Sequence, residues 1–96
     1  MKIVGIEEKI GMYEDKPFHN INFHCAEEFD NKDKSDGLKV SIVKVRYNVL
    51  TKTFGKELTT AEIKSLVGRD IEEFLYDKYR NVSFVEFVDS TETSKK

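Results

Sequence analysis

The chain has 96 residues, a formal net charge of −2 and an apolar content of 39%. This length allows one domain with one core, and the apolar content is too high for a chain that is disordered throughout. Its one cysteine excludes an internal disulfide framework and a cysteine-only zinc site. No apolar run approaches the roughly 20 residues that span a bilayer, and the start MKIVGIEEKI lacks the apolar region of a signal peptide. We therefore expect a cytoplasmic protein with no membrane partner.

Two strands are predicted before residue 30. Apolar residues at even positions indicate a first strand over 2–13, in which Gly5 and Gly11 would suit a bulge or a sharp bend. Residues 14–17 have the composition of a turn, and pairing should resume after Pro17 because proline has no N–H to donate. A second, half-buried strand follows from apolar residues that alternate with mostly polar ones: Ile21, Phe23 and Cys25.

The third strand is the clearest of all in the sequence. It follows a polar stretch, DNKDKSDG over 30–37, which predicts an exposed loop. From 38 to 49, mostly β-branched residues alternate with polar ones, which favours a strand over a helix. The apolar phase slips by one residue at Ile42-Val43. Because a regular strand would then expose its apolar side chains, we expect a bulge there.

A short helix follows the third strand. Thr59 and Glu62 have the spacing of a capping box, in which each side chain bonds the backbone N–H of the other residue. Apolar residues then recur at helical spacing, and Gly68 would end the helix. We predict this helix over 60–67.

The last part of the chain allows two interpretations. Residues 71–76 and 82–88 can form an antiparallel hairpin around a turn-like segment, and we favour this interpretation. In the alternative, one longer helix runs over 60–79 because Gly68 is tolerated at a cost of roughly 1 kcal/mol. The polar stretch DSTETSKK over 89–96 reads as a flexible tail.

The fold class that follows is mainly β with one short helix, in the order strand-strand-strand-helix-strand-strand. Three meandering strands, a helix and a closing hairpin are the order of the five-stranded OB barrel, and a bent third strand suits barrel closure. We expect a single compact OB-like domain over 1–88. The alternative, with the longer helix, is an α+β sheet that packs one helix across one face.

The sequence also resembles known proteins. The overall pattern is similar to small OB-fold proteins that bind single-stranded nucleic acid. More narrowly, MKIVGI, DKPFHNINF and IEEFLYDKYRNVSFVEFV look like short, mostly uncharacterised proteins of bacterial phages and other mobile elements. The resemblance implies non-catalytic binding of single-stranded DNA or RNA beside a replication or transfer machine. This implied function is inferred from the type of fold and from the phages and mobile elements that carry the similar proteins.

A binding face is predicted on the second and third strands. The polar side of the third strand carries cations and no acid, and polar residues of the second strand lie beside it. Exposed aromatics near turns are candidates for stacking on bases. The candidate nucleic-acid-binding residues are Lys39, Lys44, Arg46, Asn20, His24, Tyr13, Phe18 and Tyr79. The alternative for these residues is an ordinary solvated strand face, with cations that discourage edge aggregation.

No catalytic residue, metal site or cofactor is expected. His24 and Cys25 are adjacent and His19 lies five residues before His24, so on a strand they cannot all converge on one metal ion. Cys25 has no base on its own face and is expected to be a small core residue. Phosphate-binding and hydrolase motifs are absent from the sequence. We therefore expect a protein that is not an enzyme.

The second function class is a protein-interaction module, in particular a homodimer formed through an exposed strand edge. The predicted strand over 82–88 is apolar on both faces, since Phe84, Val85, Phe87 and Val88 all lie in it. Such a strand is either buried on both sides or covered by a partner.

Overall fold

The computed structural model describes residues 1–88, and these form five strands and two helices. In chain order they are β1 (Lys2–Tyr13), β2 (Lys16–Glu28), β3 (Leu38–Arg46), α1 (Tyr47–Phe54), α2 (Thr60–Lys64), β4 (Ile71–Tyr76) and β5 (Val82–Phe87). The strands form two antiparallel sheets, with the orders β1-β2-β3 and β4-β5. The mainly β class is therefore confirmed, while the tail predicted over 89–96 lies outside the described residues.

A two-residue turn joins β1 to β2. Glu14 and Asp15 both have positive φ angles, 50° and 64°, as in the tight turns that match the twist of a hairpin. Pairing resumes at once, between Tyr13 and Lys16. The turn is therefore shorter than predicted, and Pro17 already lies in β2, opposite Met12.

The start of β1 connects the two sheets. The register with β2 shifts between Ile3 and Gly5, which confirms the bulge expected at Gly5. On the other side of β1, the Ile3 N–H donates to the Arg69 carbonyl at 2.9 Å, and the Ile3 carbonyl accepts from the Gly68 N–H at 2.8 Å. The segment that leads into β4 is thereby tied to β1.

The register between β2 and β3 corrects one prediction. Pairing is continuous along the whole of β3, so the bulge expected at Ile42-Val43 is wrong. Val43 and Val45 face the core, whereas Ile42, Val40 and Leu38 lie on the opposite face and are exposed. The strand keeps its regular pleat and leaves these three apolar side chains outside.

Helix α1 is the second correction. The third strand was expected to continue through Val49 and to be followed by one helix, but the chain turns into α1 at Tyr47. Leu50 is buried, and Tyr47 and Phe54 pack against the core, at the three- and four-residue spacing of a helix face. Gly55 ends the helix with a φ of 74°. Strong β propensity had hidden this amphipathic pattern.

Helix α2 confirms the predicted capping box. The Glu62 N–H donates to Thr59 Oγ1 at 3.1 Å, and the Thr59 N–H donates to Glu62 Oε1 at 2.8 Å. The helix is shorter than the predicted 60–67, since it ends at Lys64 and the chain continues in turns to Gly68.

Strands β4 and β5 confirm the predicted hairpin. Phe74 pairs with Val85, and Leu75 pairs with Phe84. The alternative α+β arrangement with one helix over 60–79 is therefore wrong. Within β5, Val82 and Val85 are buried while Phe84 and Phe87 are half-buried, so this strand is largely covered by its own chain.

One core lies between the inner face of the first sheet, the two helices and the β4-β5 hairpin. Its fully buried side chains include at least one from each of the seven elements: Ile3, Ile21, Phe23, Val45, Leu50, Ile63, Ile71 and Val85. The Phe23 and Phe74 rings meet across the sheets with centroids 6.2 Å apart. Within residues 1–88, the backbone ladders form two sheets and do not close into a barrel.

Candidate nucleic-acid interface

The side of the three-stranded sheet that points away from the core is called here the outer face. Because opposite residues of an antiparallel pair point to the same side, the register assigns each residue to a face. Phe23 and Val43 are paired and face the core, so their neighbours in the strands point outward. The outer face carries Lys2, Gly5, Glu7, Lys9, Gly11, Tyr13, Lys16, Phe18, Asn20, Asn22, His24, Ala26, Glu28, Leu38, Val40, Ile42, Lys44 and Arg46.

Polar and basic side chains share one end of the outer face. Lys9, Asn20 and Arg46 form one row across the three strands, since Asn20 pairs with both of the others. Asn22 pairs with Lys44 in the next row, where Glu7 is the third member. Among the described residues, no carboxylate lies within ion-pair distance of Lys9, Lys44 or Arg46. These cations are free to meet an anionic ligand.

An aromatic ring lies next to this basic end. Phe18 pairs with Gly11, and its ring packs so closely on the glycine that an added Cβ would lie 2.9 Å from Phe18 Cζ. Gly11 therefore provides room for the ring and forms no bulge. Phe18 remains 36% exposed, and Tyr13, at the end of the same hairpin, is 69% exposed.

A shallow groove of about 320 Å³ opens where β3 ends. It is lined by Pro17, Phe18, His19, Asn20, Arg46, Tyr47 and Asn48. One wall is the β1-β2 hairpin, which extends beyond the last residue of β3, and the other is the first turn of α1. The groove thus combines an exposed ring, an amide and a guanidinium.

The structure brings four of the eight candidate residues to this end of the sheet: Asn20, Lys44, Arg46 and Phe18. His24 is on the same face but lies in the next row, opposite Ile42. Tyr13 lies farther along the hairpin. Lys39 is a correction, because without a bulge it lies on the same face as Val43, opposite to Lys44. Tyr79 lies in the turn between β4 and β5 and so belongs to the other sheet.

A polar cluster supports the floor of the groove. The His19 ring stacks on Tyr47 with centroids 4.1 Å apart and an interplanar angle of 5°. His19 Nε2 bonds Glu8 Oε2 at 2.5 Å, and Thr60 Oγ1 donates to Glu8 Oε1 at 2.7 Å. The Tyr47 hydroxyl in turn donates to the Leu58 carbonyl at 2.8 Å. These contacts hold the hairpin against both helices.

The Glu8 carboxylate is stabilised as an anion. The hydrogen bond from Thr60, followed by the hydrogen bond and charge of His19, lowers the pKa of Glu8 below its ordinary value, against the opposing effect of burial. A half-buried carboxylate with two partners is therefore ionised at neutral pH. No nucleophile bonds His19 in this cluster, whose contacts connect structural elements.

His24 and Cys25 lie on opposite faces of β2, as strand alternation predicts. Burial raises the pKa of the Cys25 thiol, which keeps it protonated. Within residues 1–88, no group of three or more His, Cys, Asp or Glu side chains could hold a metal ion.

Sequence reasoning missed Lys9, Gly11 and the partners of Glu8. Lys9 and Gly11 alternate with apolar residues, which places both on one face of a strand. Only the β1-β2 register shows that this face lies beside Asn20 and Phe18. The bond between Glu8 and Thr60 joins residues 52 positions apart, and nothing in the local sequence marks it.

Comparison with known proteins identifies no relative of the chain. No protein family, no curated protein and no solved structure matches the chain. No helix within the described part of the chain is long and apolar enough to cross a membrane.

Proposed function

We propose that the protein is a non-catalytic cytoplasmic module that binds single-stranded DNA or RNA on the basic end of its outer face. The observation that carries this proposal is the alignment of Lys44 and Arg46 with Asn22 and Asn20 on an exposed surface beside the ring of Phe18. Cations, amides and a stacking ring are what a flexible polyanion with exposed bases requires.

Each group has a role in such binding. Lys9, Lys44 and Arg46 contact phosphates, which releases counterions and makes affinity depend on salt. Phe18 stacks on a base, and the neighbouring groove accepts that base beside Asn20. A single strand is favoured over a duplex because stacking on a protein ring needs an unpaired base with a free face.

We also propose that the two sheets are the halves of an open OB-like barrel. Several features support this assignment. The segment before β4 bonds the start of β1, β5 approaches β3, and both helices lie between β3 and β4. In OB folds the second and third strands present the nucleic-acid-binding face. The proposed interface lies on the same two strands. In a phage or mobile element, such a module would act beside replication or transfer machinery, as the sequence resemblance implies.

The proposal is tested by fluorescence anisotropy with labelled 20-nucleotide single strands, oligo-dT and oligo-U, at 20 mM and 200 mM salt. We expect binding at low salt that weakens as salt rises. The double variant K44A/R46A should bind at least tenfold more weakly and show a shallower salt dependence, because two phosphate contacts are lost. The matched control is K52A/K64A, which removes two helix cations away from the outer face.

A stacking variant separates single-strand binding from general attraction to polyanions. Replacing Phe18 by Ala should weaken binding by about 5- to 150-fold, since stacking on an aromatic contributes about 1–3 kcal/mol per base. Absence of binding at 20 mM salt, or equal affinity for the double variant and its control, would contradict the proposal.

A further inference from the structure

Strand β3 has an uncovered edge. It pairs with β2 on one side, and no other strand of the described residues pairs with its second side. Leu38, Val40 and Ile42 project from the outer face of this strand and are 57%, 62% and 61% exposed. An edge strand with free backbone N–H and C=O groups is a template for one further strand.

Over 38–42 this edge carries only one of the usual protections against pairing, the charge of Lys39. Natural edge strands are protected by prolines, bulges or charges. Here the pairing with β2 is regular, and the nearest cation, Lys39, points to the opposite face from the three apolar side chains. Scattered apolar residues need no explanation, but three in a row on one side of a free edge do.

We propose that a second copy of this chain covers the edge, with the two β3 strands antiparallel about a two-fold axis at Val40. In this register Val40 lies opposite Val40 of the partner subunit, and Leu38 lies opposite Ile42 of the partner subunit. Each copy thus presents the same surface to the other, as a two-fold interface requires. The dimer contains one continuous six-stranded sheet, three strands from each copy.

Charge and apolar pairing select this register over its neighbours. An axis at Lys39 would oppose two lysines, and like charges opposite each other are destabilising. An axis at Ser41 would place Leu38 across from a lysine and leave it unpaired. Of these three axes, only the one at Val40 places each of the three exposed apolar side chains opposite another apolar side chain.

The size of the contact predicts a weak dimer. One strand edge with three apolar side chains per copy is smaller than the interface of about 800 Å² per partner that stable complexes bury. We therefore expect the dimer at micromolar to millimolar protein concentration. Burial of the three side chains and the new backbone hydrogen bonds provide the driving force.

The axis is tested by cysteine substitution and mild air oxidation of the full chain. Opposite residues of an antiparallel pair have Cα atoms about 4.5–5.5 Å apart, which fits a disulfide. Val40→Cys therefore places two thiols at bonding distance. In Leu38→Cys and Ile42→Cys the two new thiols lie four residues apart along the strands, about 13 Å, and cannot bond. The native Cys25 is buried and does not compete.

The expected result is a disulfide-linked dimer from V40C in at least fivefold higher yield than from L38C or I42C. Equal yields from the three variants would indicate random collision and overturn the proposal. All three positions are exposed, and circular dichroism should show native spectra for each variant.

Sedimentation equilibrium provides the second readout, without any covalent bond. V40K, which opposes two lysines at the axis, should weaken dimerisation at least tenfold, whereas V4K should not, because Val4 is an exposed valine on β1. A wild-type chain that stays monomeric up to about 1 mM would overturn the proposal. The same result is expected if a strand of a different protein, and not a second copy, covers this edge. A dimer that V40K leaves unchanged would place the contact elsewhere. Neither experiment contains nucleic acid, so each is decided independently of the proposed binding function.

Discussion

The Glu8 carboxylate shows how one residue connects distant parts of the chain. It accepts a hydrogen bond from Thr60 in α2 and contacts His19 in β2, so a single side chain links both strands of the long hairpin to a helix. Because these partners favour the ionised form, the pKa of Glu8 is lowered in the folded state. Folding is then coupled to the ionisation of this group.

Replacing Glu8 by Gln should remove a pH-dependent part of the stability. The lowered pKa contributes stability that is fully present above the ordinary pKa of 4.5 and is lost as pH falls through the folded-state value. At pH 7 we expect E8Q to be less stable by about 1 kcal/mol, because the Gln oxygen still accepts from Thr60 and only the extra strength of bonds to a charged group is lost. Near pH 3 the two proteins should converge.

Urea denaturation at pH 7, 5 and 3 measures this difference. The control is E57Q, which changes an exposed glutamate in the loop between α1 and α2. A constant difference between wild type and E8Q across the pH range would mean that ionisation of Glu8 does not contribute to stability.

At the scale of elements, the sequence predicted structure correctly where side chains bond the backbone of nearby residues. The capping box of α2 forms between Thr59 and Glu62 as their spacing predicts. Predictions of strands and helices from apolar periodicity alone were less accurate. The residues of α1 favour strands by propensity, yet packing of Leu50 and Phe54 against the core makes them helical.

Replacing Thr59 by Ala should destabilise the fold by about 1 kcal/mol, because the Glu62 N–H loses its acceptor at the start of α2. Urea denaturation at neutral pH measures the loss. Thr59→Ser keeps the hydroxyl and should retain most of the stability. If T59A and T59S are equally destabilised, the capping interaction is not the cause.

At the scale of the whole molecule, one core serves both sheets. Leu50 of α1 is fully buried in the same cluster as Ile3 of β1 and Val85 of β5. A shared core makes the sheets interdependent, and we expect one cooperative unfolding transition.

Truncation of Leu50 to Ala should therefore destabilise the whole molecule by about 2–5 kcal/mol, the range for a buried leucine. For a chain of this size the melting temperature should fall by at least about 8 °C. Leu75→Ala is the matched control because Leu75 is 37% exposed. Circular dichroism and tyrosine fluorescence should report the same midpoint for each variant, and separate midpoints would contradict a shared core.

The sequence by itself determined where most strands lie, the hairpins that join them, the loop over 30–37 and the start of α2, because alternation, turn residues and capping act over a few neighbouring positions. It also indicated most residues of the candidate interface. Tertiary structure alone decided which faces are covered. The helices and the β4-β5 hairpin pack on only one side of the first sheet. Leu38, Val40 and Ile42 therefore stay outside on a regular strand, and Lys39 lies on the opposite face from Lys44. No local pattern can report this, because burial depends on what the rest of the chain places against each face.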